Sequence, residues 1–140
     1  MNIKFFVLTF IGLLLLTTSC SLLQQSCAEA TEDYRIQVEK LAAEWDSASA
    51  LAKSTPRIQL VTPISTLQNI RNDYNNLTVP ECAQTTHDLL LDYMDEIIKG
   101  YMAFLSDDED LAVSEHFKQA DESFDSWAIS FNKLADTTEP

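Results

Sequence analysis

The chain has 140 residues, with 22 acidic residues against 9 basic ones and a formal net charge of −13. This length suits a single domain, and the negative charge disfavours nucleic acid and anionic lipid headgroups as partners because like charges repel. Only 2 glycines are present, and because β-rich folds need glycine at many tight turns, the composition favours helices.

The first predicted element is a secretory signal at residues 1–19. Lys4 precedes the apolar run Phe5–Leu16, which only Thr9 and Gly12 interrupt. As a helix this run spans about 18 Å, less than the about 30 Å of a bilayer core, so a signal segment is favoured over a membrane span.

The residues after this run resemble the lipobox of bacterial lipoproteins, in which cleavage exposes a cysteine that is then lipidated. Thr17-Thr18-Ser19 precedes Cys20. A lipobox usually has Leu where this chain has Thr17, and Leu16 stands one place too early. The resemblance covers residues 3–20. It implies lipid on Cys20, a lipidated tether over residues 20–27, and a membrane-attached protein of the cell envelope.

Two other readings of the leader stay open. Ala28-Glu29-Ala30 also fits an ordinary cleavage site, which would release a soluble secreted or periplasmic protein that starts at Thr31. Alternatively, the uncharged stretch Phe5–Leu23 would remain as an uncleaved anchor. The lipoprotein reading is favoured by the cysteine count.

The chain has 3 cysteines, which leaves one odd cysteine in an exported protein. If Cys20 carries lipid, Cys27 and Cys82 remain as a pair in a compartment that permits disulfides. If cleavage follows Ala30, Cys82 has no partner of its own chain. We therefore predict a Cys27–Cys82 disulfide. In a square bundle it would join diagonal helices, so it requires a flattened bundle or an inward swing of the tether.

Apolar residues at alternating steps of three and four predict four helices. We expect an all-α, antiparallel up-down-up-down four-helix bundle over residues 28–136. The helices are predicted at about 28–53, 63–76, 80–105 and 108–135. Their predicted apolar faces are Tyr34, Val38, Leu41, Trp45, Ala48 and Ala52; Ile64, Leu67, Ile70, Tyr74 and Leu77; Ala83, His87, Leu90, Met94, Ile97, Tyr101 and Phe104; and Val113, Phe117, Ala120, Phe124, Trp127, Phe131 and Leu134.

Local signals support the predicted helix starts. Ser26 with Glu29, and Ser106 with Glu109, have the spacing of capping boxes. Pro63 and Pro80 suit a first helical position, where the missing N–H has no partner in any case. The last apolar face has heptad spacing, which predicts knobs-into-holes packing against neighbouring helices.

A second resemblance covers about 40 residues of the chain's middle. Ile70-Arg71 before a turn, Pro80-Glu81-Cys82-Ala83 after it, and Gly100-Tyr101-Met102-Ala103-Phe104 at a helix end are its marks. This pattern resembles small exported helical bacterial proteins of uncharacterised function. The resemblance implies a helical fold and export, and it implies no activity and no site residues.

The sequence contains no recognisable catalytic or metal-ligand pattern, so we predict a protein that is not an enzyme and needs no cofactor. His87 and His116 lack the spacing of a metal site. His87 falls on an apolar face and is expected to be hydrogen-bonded in or beside the core. The acidic run Asp107–Asp110 lacks the order of a calcium loop and suits a helix start.

The negative charge is lopsided: residues 21–80 hold 7 acidic and 5 basic residues, whereas residues 81–140 hold 15 and 3. Four acids share one side of the third helix: Asp88, Asp92, Asp95 and Glu96. The spacing is typical of a solvated face, with Lys99 pairing Asp95 or Glu96.

These observations favour a membrane-tethered accessory or binding protein of the cell envelope that presents its acidic surface to a basic or cationic protein. The alternative is a carrier that binds a small ligand or a cation in the bundle interior. Solubility is the simplest other reason for the acidic surface.

Overall fold

The computed structural model describes the backbone of residues 21–136 and the side chains of residues 31–134. Every regular element in this part is helical, so the all-α prediction is confirmed there. The predicted signal, the lipidation at Cys20 and the side chains of Ser26, Cys27 and Glu29 lie outside the described residues. The four helices are α1 (Ser21–Ser54), α2 (Val61–Asn75), α3 (Gln84–Ser106) and α4 (Asp110–Asp136).

The helix starts differ from the predicted ones. α1 begins at Ser21 rather than at about residue 28. α2 begins at Val61, so Pro63 is its third residue and not its first. The backbone at Pro80 is extended, with ψ of 144°, and leads into a short 3-10 turn, Glu81–Ala83. Because its backbone is extended, Pro80 cannot be the first residue of α3. α3 starts only after the 3-10 turn.

The junction between α3 and α4 is a left-handed cap. α3 ends at Ser106 and is followed by Asp107, whose φ is 64°. The Asp108 N–H donates to the Ala103 carbonyl over 3.1 Å, the bond that closes such a cap. Ser106 is therefore the last residue of α3, and the predicted capping box between Ser106 and Glu109 is wrong. The Asp107 carboxylate pairs with Arg57, in the 3-10 turn Arg57–Gln59 that precedes α2.

The core is formed mainly by α1, α2 and α3. The predicted apolar face of α1 is buried along its whole length, and so is that of α2 from Ile64 to Tyr74. On α3, His87, Leu90, Met94 and Ile98 are buried. From α4, only Ala120 and Leu134 are fully buried among the described residues.

α4 lies at the side of this core. It packs against α3 along its length, whereas its contacts with α1 are few. The predicted seam of α4 is consequently only partly covered, and Phe124 is 42% exposed. Phe104 of α3 faces the same gap and is 43% exposed, so the prediction that it belongs to a buried face is wrong. Heptad spacing aligned these side chains correctly but did not show that one neighbour was missing.

No helix in the described part of the chain combines the length and the apolar character that a membrane crossing requires.

Candidate functional site: an open aromatic groove

An open groove of about 530 Å³ lies where α1 and α4 part from each other, beside α3. Its volume falls in the range of small-molecule sites, about 300–1,000 Å³. Three helices supply its lining residues, which are Ser49, Ala50 and Lys53 of α1, Tyr93, Ile97, Tyr101 and Phe104 of α3, and Val113 and Phe117 of α4.

The groove ends where a row of aromatic rings fills the space between the helices. The Tyr93 ring lies 5.2 Å from that of Phe124, which lies 5.3 Å from that of Trp127. Trp127 in turn stacks on Phe131 at 5.1 Å. Tyr93 is also fixed from α1, because the Trp45 indole N–H donates to the Tyr93 hydroxyl over 3.3 Å. Within this row Trp127 and Phe131 pack against the core, whereas Phe124 is 42% exposed.

One wall of the groove depends on a glycine. A Cβ placed on Gly100 would stand 3.0 Å from two carbons of the Phe117 ring, tighter than nine in ten real Cβ contacts, so the ring would have to shift. Gly100 thus lets α4 bring Phe117 directly against the α3 backbone. Phe117 also packs edge-on against Tyr101, with ring centroids 5.3 Å apart. These contacts hold an aromatic surface at the groove without filling it.

Two polar groups of α1 stand on the opposite wall. The Ser49 Oγ is buried and has no hydrogen-bond partner among the described residues. Lys53 follows one helical turn later, on the same side of α1, and forms no ion pair with any described residue. The groove therefore combines apolar walls with the exposed Lys53 ammonium and with a buried Ser49 hydroxyl that has no hydrogen-bond partner among the described residues.

The tyrosines of the groove stay neutral at ordinary pH. Burial raises the pKa of Tyr93 above its usual range; the hydrogen bond from Trp45 lowers it in part, and Asp46 and Asp121 raise it further. Burial also raises the pKa of Tyr101, with a smaller contribution from Tyr93. Both phenols therefore act as neutral hydrogen-bonding groups, and the charge of the groove comes from Lys53.

The groove offers apolar, hydroxyl and ammonium groups. Its lining residues include no carboxylate, imidazole or thiol that would transfer a proton or act as a nucleophile. In the described part of the chain, no three His, Cys, Asp or Glu side chains come together as a metal site.

The four predicted acidic residues lie on α3, but the structure divides them into two kinds. Asp95 forms a two-pronged pair with Arg71 of α2, both contacts being 2.8 Å. Glu96 contacts Lys99 at 2.6 Å and His116 at 2.7 Å. Asp88 and Asp92 are exposed and form no ion pair with a described residue.

The balance of effects at Glu96 fits this division. Burial raises the pKa of Glu96, but hydrogen bonds from Lys99 and His116 outweigh burial, and the pKa lies below its usual value. Asp95 and Glu96 were the two predicted partners of Lys99, and the structure pairs Lys99 with Glu96. The charges of Asp95 and Glu96 are thus largely neutralised by partners within the protein.

An acidic cleft of about 420 Å³ adjoins these residues between α3 and α4. It is lined by Asp92, Asp95, Glu96 and Lys99 of α3 and by Glu122 of α4, together with small polar side chains. The predicted acidic surface is therefore concave and includes a carboxylate from α4 that the sequence did not assign to it.

His87 is 3% exposed and belongs to a buried polar cluster, as predicted. Its ring stacks on Tyr74 with centroids 4.4 Å apart. The Tyr34 hydroxyl lies 2.9 Å from the Tyr74 hydroxyl and 3.4 Å from His87 Nδ1. These contacts join α1, α2 and α3, which gives His87 a structural role in the core.

The groove residues Ser49 and Lys53 were missed at the level of sequence. Both lie beside the predicted face of α1, at positions typical of a solvated helix side. No local sequence pattern identifies them, because their place in the groove depends on where α4 packs.

Comparison of this chain with protein-family models, with curated proteins and with solved structures finds no match.

Proposed function

We propose that this chain is an exported, non-enzymatic binding protein that holds a small apolar ligand in the groove between α1 and α4. The observation that carries this proposal is the groove itself, an opening of about 530 Å³ lined by the aromatic rings of Tyr93, Tyr101, Phe104 and Phe117. Such apolar concavities with a few polar groups are the usual form of ligand sites. This choice favours the carrier alternative over the acidic-surface hypothesis.

We further propose that the four helices alternate in direction, as an up-down-up-down bundle. Tyr34 of α1 contacts Tyr74 near the end of α2 and His87 near the start of α3. Arg35 lies over the Phe131 ring near the end of α4. At the opposite end, Arg57 before α2 pairs with Asp107 after α3. Antiparallel neighbours joined by short connections place residues in this way.

The proposed anchor is lipid on Cys20, after removal of residues 1–19. Radiolabelled palmitate supplied to cells should enter the protein, and the variant Cys20→Ser should lose the label and leave the membrane fraction. A Cys20→Ser protein that remains membrane-bound would favour the uncleaved anchor, and an N-terminus at Thr31 would favour soluble secretion.

The groove would then lie far from the membrane. From Thr31 to Ser49 the α1 helix rises about 27 Å, and the tether precedes Thr31. A lipid anchor at Cys20 would hold the first turns of α1 near the bilayer and present the groove to the surrounding compartment. The ligand would accordingly be taken from solution or from a partner rather than directly from the anchoring leaflet.

Photo-crosslinking tests the proposed binding. A dodecanol carrying a diazirine on its chain is added to the isolated protein, irradiated, and the labelled residues are mapped by mass spectrometry. We expect labelling concentrated in residues 93–117. The variant Ala50→Phe places a ring in the groove and should reduce this labelling at least tenfold. Ala43→Phe, an equal change on an exposed position of α1 away from the groove, is the matched control.

Labelling spread evenly over the exposed surface would overturn the proposal, and so would labelling of residues 93–117 that Ala50→Phe leaves unchanged. A preserved helical circular dichroism spectrum in both variants shows that a loss of labelling comes from the filled groove.

The second candidate function is binding of a basic protein at the acidic cleft. It is supported by the exposed Asp88 and Asp92 and by the contribution of Glu122 from α4. Because Asp95 and Glu96 already have cationic partners, the informative variant neutralises only the other two, Asp88→Asn with Asp92→Asn. Asp33→Asn with Asp46→Asn on α1 changes the net charge equally and serves as control.

Crosslinking in intact cells, followed by identification of the attached proteins, measures this second candidate. Loss of a defined set of basic partners in the first double variant alone would support it. An identical set with both double variants would remove it.

A further inference from the structure

We infer that the ligand of the groove is an amphipathic acid, with an apolar chain or ring against the aromatic wall and a carboxylate held by Lys53 and Ser49. This inference rests on the proposed function and names the chemistry of its ligand. It is argued from the polar groups of the groove, their lack of partners and the absence of competing acids among the lining residues.

The apolar part of the ligand follows from the lining. Tyr93, Ile97, Tyr101 and Phe104 recur along one side of α3, and Phe117 faces them from α4. From Tyr93 to Phe104 the helix rises about 16 Å, so an extended chain rather than a compact molecule matches the length of the wall. Burial of such a chain removes apolar surface from water and so favours binding.

The acidic part follows from the two groups on α1. The Ser49 hydroxyl is buried without a hydrogen-bond partner, and a buried polar group without a partner is unfavourable. A carboxylate oxygen of the ligand would accept a hydrogen bond from this hydroxyl. Lys53 stands on the same side of α1, one turn nearer the end of the helix, and its ammonium would complete the pair by a charge-assisted hydrogen bond.

The charge of the groove distinguishes it from the rest of the surface. The whole chain carries −13, yet Lys53 is the charged residue among those that line the groove. An anion would therefore meet a local positive charge there, whereas a cation would be drawn to the acidic cleft between α3 and α4. Lys40 of α1, in contrast, is a surface lysine that forms an ion pair with Glu44.

Competition among three probes with the same chain tests the inference. Dodecanoate, dodecanol and dodecyltrimethylammonium are each used to displace the diazirine-bearing dodecanol from residues 93–117 of the isolated protein. We expect half-displacement by dodecanoate at a concentration at least tenfold lower than by dodecanol, and weakest displacement by the cation. All measurements are made below the concentrations at which the probes form micelles.

Lys53→Gln should abolish the advantage of dodecanoate over dodecanol, and Ser49→Ala should reduce it. Lys118→Gln removes an exposed lysine that pairs with Glu122 on α4 and should leave the advantage intact. Retention of the advantage in Lys53→Gln would overturn the assignment of the carboxylate to this residue.

The outcomes separate this inference from the proposed function. Equal displacement by dodecanoate and dodecanol, or stronger displacement by the cation, would overturn the amphipathic acid while the groove remains a binding site. Failure of the diazirine probe to label residues 93–117 at all would overturn both.

Discussion

The Phe117 ring lies so close to Gly100 that a Cβ on the glycine would stand 3.0 Å from two of its carbons. Gly100→Ala should therefore push the ring and the first half of α4 away from α3. The helix gains up to about 1 kcal/mol from replacing glycine, but overpacking costs about 1–3 kcal/mol. We expect a net loss of roughly 1 kcal/mol in the free energy of unfolding, measured by urea denaturation.

A second variant checks that the clash is the cause. Phe117→Leu alone should also destabilise the protein, yet Gly100→Ala with Phe117→Leu should cost less than the two single changes together. Additive losses would show that the ring does not limit the substitution.

Protonation of His87 should destabilise the fold. Burial lowers the pKa of His87, the Asp88 charge raises it in part, and Arg71 lowers it again. The unfolded chain, with a histidine pKa of about 6.5, thus binds a proton more readily than the folded one. The contribution of neutral His87 is complete above about pH 6.5 and is lost as the pH falls below that value towards the folded pKa.

Urea denaturation at pH 7.5 and at successively lower pH measures this effect. His87→Phe keeps an aromatic ring beside Tyr74 and cannot titrate, so its stability should fall less between pH 7 and pH 5 than that of the wild type. A pH dependence that is identical in the two proteins would contradict the role of His87.

The Arg71–Asp95 pair should depend on its planar, two-pronged geometry. Lysine cannot reproduce the two parallel contacts of 2.8 Å. Because both side chains are partly exposed, Arg71→Lys should lower the free energy of unfolding by no more than about 1 kcal/mol. Asp95→Asn should cost a similar amount, and combining the two changes should add little. Strict additivity in urea denaturation would indicate that the pair contributes nothing.

Asp107 should be replaceable by glycine. Its φ of 64° is left-handed, a region that costs a residue with a Cβ about 1–2 kcal/mol relative to glycine, less for Asp and Asn. Its exposed pair with Arg57 contributes little in return. Thermal unfolding should rank the variants with Asp107→Gly at or above the wild type and Asp107→Ala lowest. A higher Tm for Asp107→Ala than for Asp107→Gly would contradict the left-handed cap.

The Cys27–Cys82 disulfide stays a prediction. Cys82 lies in Glu81–Ala83, a turn that contacts α1 and whose Ala83 is buried. Cys27 precedes the buried Thr31 by one turn of α1.

Mass spectrometry of the non-reduced exported protein should show the loss of two hydrogens. Cys82→Ser should lower stability by about 4 kcal/mol in the chain-entropy model. Two thiols that react with iodoacetamide without prior reduction would contradict the disulfide.

The helical character of the chain was predictable from local periodicity, and the site was not. Tyr34, Val38 and Trp45 recur at helical spacing and are buried, because a helix has only one face to offer the core. Which neighbour covers each face depends on contacts between distant residues. Phe104 and Phe124 have the same spacing as core residues, but α4 and α1 separate beside them.

The acidic residues of α3 show the same limit. Their spacing predicted a common side of the helix, and Asp92, Asp95 and Glu96 line one cleft. The neutralisation of Asp95 comes from Arg71 on another helix, and the imidazole that approaches Glu96 from α4 belongs to His116. No pattern in the sequence around these acids indicates either partner, so the sequence could not separate the paired acids from Asp88 and Asp92.

The packing of α4 mainly against α3 has a consequence for hydrogen exchange. Because α1, α2 and α3 enclose most of the buried side chains, α4 can open as a unit while the other three helices keep their packing. The amides of Asp110–Asp136 should then exchange with deuterated water sooner than those of α1. Each opening would widen the aromatic groove, and an occupant bridging Phe117 to α1 would slow the exchange of the whole last helix.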